Sequence, residues 1–112
     1  MMASGMSSKF TDPEDAKLET LAIATQRRTG SKQAAALRDS TGRTYVAINI
    51  STSSLSLDAI AAVFTVAMAS QISGIEAVVV VGAGPINVAP VREFAPDSLI
   101  WRISIDGEIS AL

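Results

Sequence analysis

The 112-residue sequence contains no cysteine and no histidine. That double absence excludes disulfides, thiol nucleophiles, imidazole general bases and zinc sites built from Cys and His. Aromatic residues are scarce at 4%, with one Trp and one Tyr, so stacking surfaces are few. Nine Lys and Arg stand against eleven Asp and Glu, a net charge of -2, which leaves no basic footprint for nucleic acid. A long apolar run is missing too. The longest, Leu57 to Ile72, spans 16 residues and is interrupted by Asp58, Thr65, Ser70 and Gln71, short of the roughly 20 residues a membrane span needs. Residues 1–10 lack the continuous apolar stretch of a secretory signal. The expectation is a cytoplasmic protein with no membrane or nucleic-acid partner, made of a flexible arm over residues 1–11 and a single domain over 12–112.

What is present is apolar. At 48% hydrophobic residues the chain can support one packed core and is not intrinsically disordered. Thr11-Asp12-Pro13-Glu14 reads as a helix start, with Thr11 as cap and Glu14 closing a capping box. Leu18, Leu21, Ala22 and Thr25 then recur at i, i+3, i+4 and i+7, and Gly30 supplies a stop, which predicts a helix over 13–28. Ala34 to Asp39 and Arg43 to Ile50 flank Ser40-Thr41-Gly42 and predict a hairpin. In its second arm Tyr45, Ala47 and Asn49 share one face, while Val46, Ile48 and Ile50 share the other.

A Ser-rich loop, residues 51–56, leads into a second predicted helix over 57–73, with Ser54 or Ser56 as its cap. Leu57, Ile60, Ala61, Phe64 and Met68 form its main stripe, and Val63, Val66 and Ala67 widen it until nearly the whole circumference is apolar. A small domain has difficulty burying such a helix alone, so part of it is expected to meet another subunit. Ile75 to Val81 reads as a strand buried on both faces. Residues 88–94 form a short helical segment broken by Pro90, residues 99–105 alternate as a strand, and Glu108 to Leu112 offers a short edge. The predicted fold is α/β, three layers, with a mixed sheet: an N-terminal antiparallel hairpin, then parallel strands, and helices on both faces.

This order of elements, the stretch SKQAAALRDSTGRTYVAINI, the Ala-rich helix running into IEAVVVV, and the run VREFAPDSLI resemble the zinc-dependent cytidine deaminases of free nucleosides. In that family the first strand begins Phe-Pro-Val-Gly-Ala-Ala, where Ser31-Lys32-Gln33-Ala34-Ala35-Ala36 stands here. The second strand ends Asn-Val-Glu, and its side chains hold the ribose hydroxyls; Asn49-Ile50-Ser51 keeps the Asn and lacks the acid. The family's catalytic Cys-Ala-Glu opens the central helix, and Pro-Cys-x-x-Cys opens the next. Three thiolates hold zinc, which lowers the pKa of its water, and the Glu shuttles protons. The first string falls near Ser54-Leu55-Ser56, and aligning back from Glu93-Phe94 puts Gly84 and Asn87 at the two later cysteines. The resemblance therefore implies the fold without the zinc ligands or the proton shuttle, and no cofactor is expected. Asn49, Ser51, Ser54, Ser56, Gly84 and Asn87 are the residues of a vestigial pocket.

Several features carry a plainer structural meaning beside the functional one. Asp58 is either a relocated acid or a charge favouring a helix N-terminus, and the second is the commoner role. Gly82-Ala83-Gly84-Pro85 lacks the remaining residues of a dinucleotide or P-loop motif and reads as a tight turn. The Ser51 to Ser56 hydroxyls have no evident base, and loop or cap roles suit them better. Arg92-Glu93 reads as a solvated pair, and Tyr45 and Trp101 as core or interface aromatics. The expected function is that of a catalytically inactive cytidine deaminase-like protein, an oligomeric binding or scaffold protein. The alternative is a nucleoside deaminase or related hydrolase using an unrecognised site. Expected partners are a second copy through the 57–72 helix, as tetramer first and dimer second because related deaminases assemble so, and an active deaminase homologue.

Overall fold

Asp12, and not Thr11, starts the first helix: its carboxylate accepts from the amide of Glu14 at 2.9 Å, and Pro13 follows at the first helical position. An aspartate can accept here and is already charged to complement the helix dipole. The structure, a computed structural model, describes residues 10–112. Of the expected arm, residues 1–9 lie outside this range, and Phe10 packs edge-on against Trp101 with ring centroids 5.4 Å apart. Helix α1 (Pro13–Thr29) ends at Gly30, whose φ of 65° is left-handed and suits glycine.

The remaining elements are β1 (Gln33–Asp39), β2 (Thr44–Ile48), β3 (Ile50–Ser51), β4 (Ser56–Leu57), α2 (Ala59–Ala69), β5 (Ile75–Gly82), α3 (Ala89–Phe94), β6 (Leu99–Ile103) and β7 (Ile109–Ala111). Five strands form one mixed sheet in the order β2-β1-β5-β6-β7. β1 is antiparallel to both β2 and β5, β5 is parallel to β6, and β7 returns antiparallel. This is the predicted mixed sheet with an antiparallel hairpin and a parallel pair. Helix α1 covers one face; α2 and α3 cover the other.

β1 is buried along its whole length. Its small side chains explain why: Ala34 and Ala36 face α1, while Ala35 and Leu37 face α2, so helices approach closely from both sides. Val78 and Val80 of β5 fill the α2 side, and Val79 and Val81 the α1 side, as a β-branched strand covered twice requires. In β2, Tyr45 and Ala47 join the α2 side and Val46 and Ile48 the α1 side, as their alternation predicts.

Several boundaries depart from the sequence reading, β2 and β6 each stopping two residues short, at Ile48 and Ile103. α2 begins at Ala59 rather than Leu57, because Ser56 and Leu57 pair with Ser51 and Ile50 in a small hairpin and Asp58 takes the cap. It ends after Ala69, well before Gly74. Gln71 adopts a left-handed φ of 61°, its amide donates to Met68, and the amide of Ile72 donates to Ala67 at 3.5 Å. That is a Schellman ending made without glycine. Pro90 does not break α3 but lies in its first turn, where its missing N–H is harmless. Two consequences follow for packing. Val63 and Ala67 lie in the core of their own subunit, contrary to the fully wrapped helix expected, while Val66 stays 43% exposed.

Polar groups close the end of the sheet near the β1–β2 turn. Arg38 is buried and binds Asp15 of α1 at 2.9 Å and Glu76 of β5 at 2.7 Å. A register shift pairs Arg38 with Ala77 and Asp39 with Ile75, so Glu76 is the extra residue of a bulge beside Arg38. Burial works to lower the pKa of Arg38, but hydrogen bonds and charge from Glu76 and Asp15 outweigh it and hold it above its usual value. Asp39, also buried, accepts from the Thr41 hydroxyl at 2.7 Å, the Thr41 amide at 2.9 Å and the Arg43 amide at 3.0 Å. Burial alone would raise its pKa; these donors and Tyr45 hold it below the ordinary 3.8.

Folded Asp39 thus binds its proton less readily than the unfolded chain does. Its contribution to stability is complete above the ordinary carboxylate value and is lost as pH falls through the lower folded value. Asp39→Asn is expected to flatten the acid limb of the stability curve. Urea midpoints between neutral pH and pH 2 check this; an unchanged slope would refute it.

Candidate functional site

At the opposite end of the sheet from Arg38, the starts of α2 and α3 converge on the start of β1. Each helix N-terminus presents amides without intrahelical acceptors, and the chain supplies acceptors of its own. One carboxylate oxygen of Asp58 accepts from the amide of Ala61 at 2.9 Å, capping α2. The other accepts from the amide of Asn87 at 3.1 Å, and the Asn87 side chain in turn accepts from Ala89 at 3.0 Å at the start of α3. Asp58 therefore bridges the two helix starts.

Gln33, 3% exposed, occupies the centre. Its carbonyl oxygen accepts from the amide of Ala59 at 3.0 Å. Its amide nitrogen donates to the carbonyls of Ala83 at 3.0 Å and Pro85 at 3.1 Å. Its backbone N–H donates to the side chain of Asn49 at 2.9 Å. From the other side Arg102 donates to the carbonyls of Gly82 at 2.8 Å and Gly84 at 2.7 Å. Alternate carbonyls of residues 82–85 are thus held by two different side chains. The path needs glycine at 82: φ is 106°, and a Cβ there would lie 2.1 Å from the Lys32 carbonyl oxygen.

Of the six residues singled out in the sequence, Asn49, Gly84 and Asn87 meet around Gln33 and Asp58. A Cβ on Gly84 would lie 3.3 Å from the Gln33 amide nitrogen. Ser51 and Ser56 instead face each other across the exposed β3–β4 hairpin, and Ser54 is exposed near its turn. That turn is closed by Thr52, whose hydroxyl accepts from the amide of Leu55 at 3.0 Å. Gln33 and Arg102 were not singled out, since their partners lie 18 to 52 residues away along the chain. Asp58 was legible, as an acid just ahead of an apolar run. Arg92 is not paired with Glu93: its guanidinium donates to the carbonyls of Pro96, Ser98 and Leu112, fastening the C-terminal strand.

A mixed sheet covered by helices on both faces, with two helix starts meeting at one edge, defines the class of fold. The sequence model of the cytidine deaminase-like family matches residues 11–107, and the chain belongs to that family. Among solved structures, cytidine deaminase from Burkholderia pseudomallei aligns with a TM-score of 0.72 and 18% identity, covering 87% of this chain and 90% of that one. Cytidine deaminase from Mycobacterium leprae aligns with a TM-score of 0.64 and 18% identity, covering 86% of this chain and 91% of that one. No curated protein matches the sequence.

The observed start of α2 shifts one assignment that the resemblance implied. The resemblance puts the family's Cys-Ala-Glu at the opening of the central helix, and α2 opens at Ala59 with Asp58 as its cap, so carried onto the observed helix the resemblance implies Asp58-Ala59-Ile60 in place of Ser54-Leu55-Ser56. On that resemblance the positions implied for the three ligands are Asp58, Gly84 and Asn87, and the position implied for the proton shuttle is Ile60, which is fully buried. These residues do not fit zinc. Glycine has no donor, the Asn87 oxygen is turned to Ala89, and both Asp58 oxygens accept from backbone amides. Among the described residues no three acidic side chains gather as metal ligands.

The Gln33 contacts give a direct stability test. Gln33→Leu, similar in size, leaves one buried donor and two acceptors unmatched, at about 1 to 3 kcal/mol each. A loss of about 3 kcal/mol or more in urea unfolding is the expected result. A loss under about 1 kcal/mol would mean that water replaces the carboxamide.

Proposed function

We propose that this chain is a catalytically inactive member of the cytidine deaminase-like family that works as a homo-oligomeric binding or scaffold protein. One observation carries the reading: the Asp58 carboxylate, at a ligand position, ties the starts of α2 and α3 together through the amides of Ala61 and Asn87. A group committed to two backbone donors is matched to those donors and not to a cation or a substrate proton. Gln33 closes the same region with its carboxamide. Neither imidazole nitrogens nor thiolates exist anywhere in the sequence to take over.

Purified protein is expected to carry no stoichiometric zinc by elemental analysis and to turn over none of cytidine, deoxycytidine or adenosine. Zinc at one equivalent, or deamination of any of the three, would favour the alternative, a deaminase or related hydrolase acting through a different site.

The scaffold half of the reading rests on the outer face of α2. Val66 is 43% and Met68 37% exposed in the single chain, and Leu55 on the neighbouring hairpin is 50% exposed. Burying side chains of this size yields about 1.5 to 3 kcal/mol each, enough to drive assembly when several act together. Light scattering at micromolar concentration should give a tetramer or a dimer of the 11.6 kDa chain. Val66→Lys, which places a charge on that face without touching the core, should lower the mass. A monomeric wild-type chain would refute self-association. An active deaminase homologue is the second partner proposed, and co-purification tests it.

A further inference from the structure

The free edge of β2 extends the self-association proposed above and rests on it. In the hairpin, the amide of Asp39 donates to the carbonyl of Arg43 at 2.9 Å, and the amide of Asn49 donates to the carbonyl of Gln33 at 3.4 Å. Between these points the register is unbroken, with Ala35 opposite Ala47 and Leu37 opposite Tyr45. Odd-numbered residues of this arm therefore turn their backbone groups toward β1. Thr44, Val46 and Ile48 turn theirs outward, and β2 is the last strand of the sheet. Such edges are ordinarily blunted by Lys, Pro or a bulge. β2, with sequence TYVAI, has none of these and no charge.

The helix above this edge is placed to match it. α2 packs across β1 and β2. Its Phe64 meets Phe94 of α3 at a centroid distance of 6.1 Å. The opposite flank, Ala62, Val66 and Ala69 at i, i+4 and i+7, faces away from α3 and toward the β2 edge. It is small and uncharged; Ala62 on it is buried in its own chain, and Val66 and Ala69 are exposed.

Strands pair about 4.8 Å apart, so a two-fold axis beside β2 lies about 5 Å from the line between β1 and β2 over which α2 sits. Two α2 helices related by that axis stand about 10 Å apart, at the upper end of the 8 to 10 Å of packed helices. One axis thus serves strand and helix together. We infer that two copies of this chain join by antiparallel β2–β2 pairing about an axis at Val46, with the exposed Val66 and Ala69 of the two α2 flanks packed across it. The interface is self-complementary: Thr44 pairs with the partner's Ile48, and Val46 with the partner's Val46.

Val46→Pro removes the outward amide at the axis and breaks no bond to β1, a substitution that edge strands tolerate. With far-UV circular dichroism unchanged, it should halve the particle mass read by light scattering. The absence of native cysteine allows a second test that does not depend on that variant folding. Across the axis position 45 faces position 47 in a non-hydrogen-bonded pair, with Cα atoms about 4.5 Å apart, within disulfide reach. An oxidised equimolar mixture of Tyr45→Cys and Ala47→Cys chains should yield a mixed disulfide dimer that neither gives alone. Absence of the mixed disulfide overturns the edge pairing, as does a folded Val46→Pro chain of wild-type mass. If Val66→Lys still lowers the mass in that case, assembly through α2 stands without the strand. A monomeric wild type overturns assembly itself.

Discussion

The carboxamide of Gln33 is the constraint on which the end of the sheet at the starts of α2 and α3 depends. A primary amide offers one acceptor oxygen and two donor hydrogens, and here the oxygen meets the first amide of α2 while the nitrogen meets two carbonyls of the loop after β5. The oxygen carries partial negative charge to the positive end of a helix. The nitrogen gathers carbonyls that a buried loop would otherwise leave unmatched. One side chain therefore fixes where β1 begins, where α2 starts and how the chain leaves β5. Arg102 completes the arrangement by taking the intervening carbonyls at Gly82 and Gly84.

β1 is built for this duty at both ends. Its sequence, QAAALRD, places small or aliphatic residues where two helices must come close and long polar ones where the sheet ends. Gln33 ties one end to α2 and the β5–α3 loop; Arg38 ties the other to α1 and the bulge in β5. A buried guanidinium without carboxylates would cost several kcal/mol, so only the register that brings Asp15 and Glu76 to Arg38 is acceptable. The alanines allow close packing, and the polar ends choose among the packings that alanines alone would permit.

Much of the fold was legible because it rests on periodicity. The 3.6-residue recurrence of Leu18, Ala22 and Thr25 and the β-branched run from Ile75 to Val81 place α1 and β5 without tertiary information. What was not legible depends on partners distant in sequence. Asp15 lies in the first turn of α1, and nothing near it in sequence announces its partner, Arg38, 23 residues on. The end of α2 at Gln71 carries no glycine to announce it, and a hairpin with two residues in each strand leaves no alternation to read. Asn49, Gly84 and Asn87 were reached through resemblance; Ser51 entered beside Asn49 at the place of the family's second-strand acid, and Ser54 and Ser56 entered because the β3–β4 hairpin that precedes α2 leaves no periodic signal. Gln33 sits in a strand pattern that gives no hint of a carboxamide with three backbone partners.

The family fold brings two helix starts together whatever chemistry they serve, and buried amides at those starts must be met by something. The resemblance to zinc-dependent cytidine deaminases implies metal ligands at these points. Here the cross-link between the helices is a hydrogen-bonded one, Asp58 to the amides of Ala61 and Asn87, reinforced by Gln33. On the proposed reading, the departure from the catalytic pattern is distributed. It lies in Ile60, buried where a proton shuttle would stand, in Gly84, whose missing side chain gives room to Lys32 and Gln33, and in the backbone path of residues 82–85. Restoring three thiolates would leave the Gln33 carboxamide in place and the Asp58 bridge lost. The same polarity that can organise a metal site is, in this chain, consumed in holding the fold together.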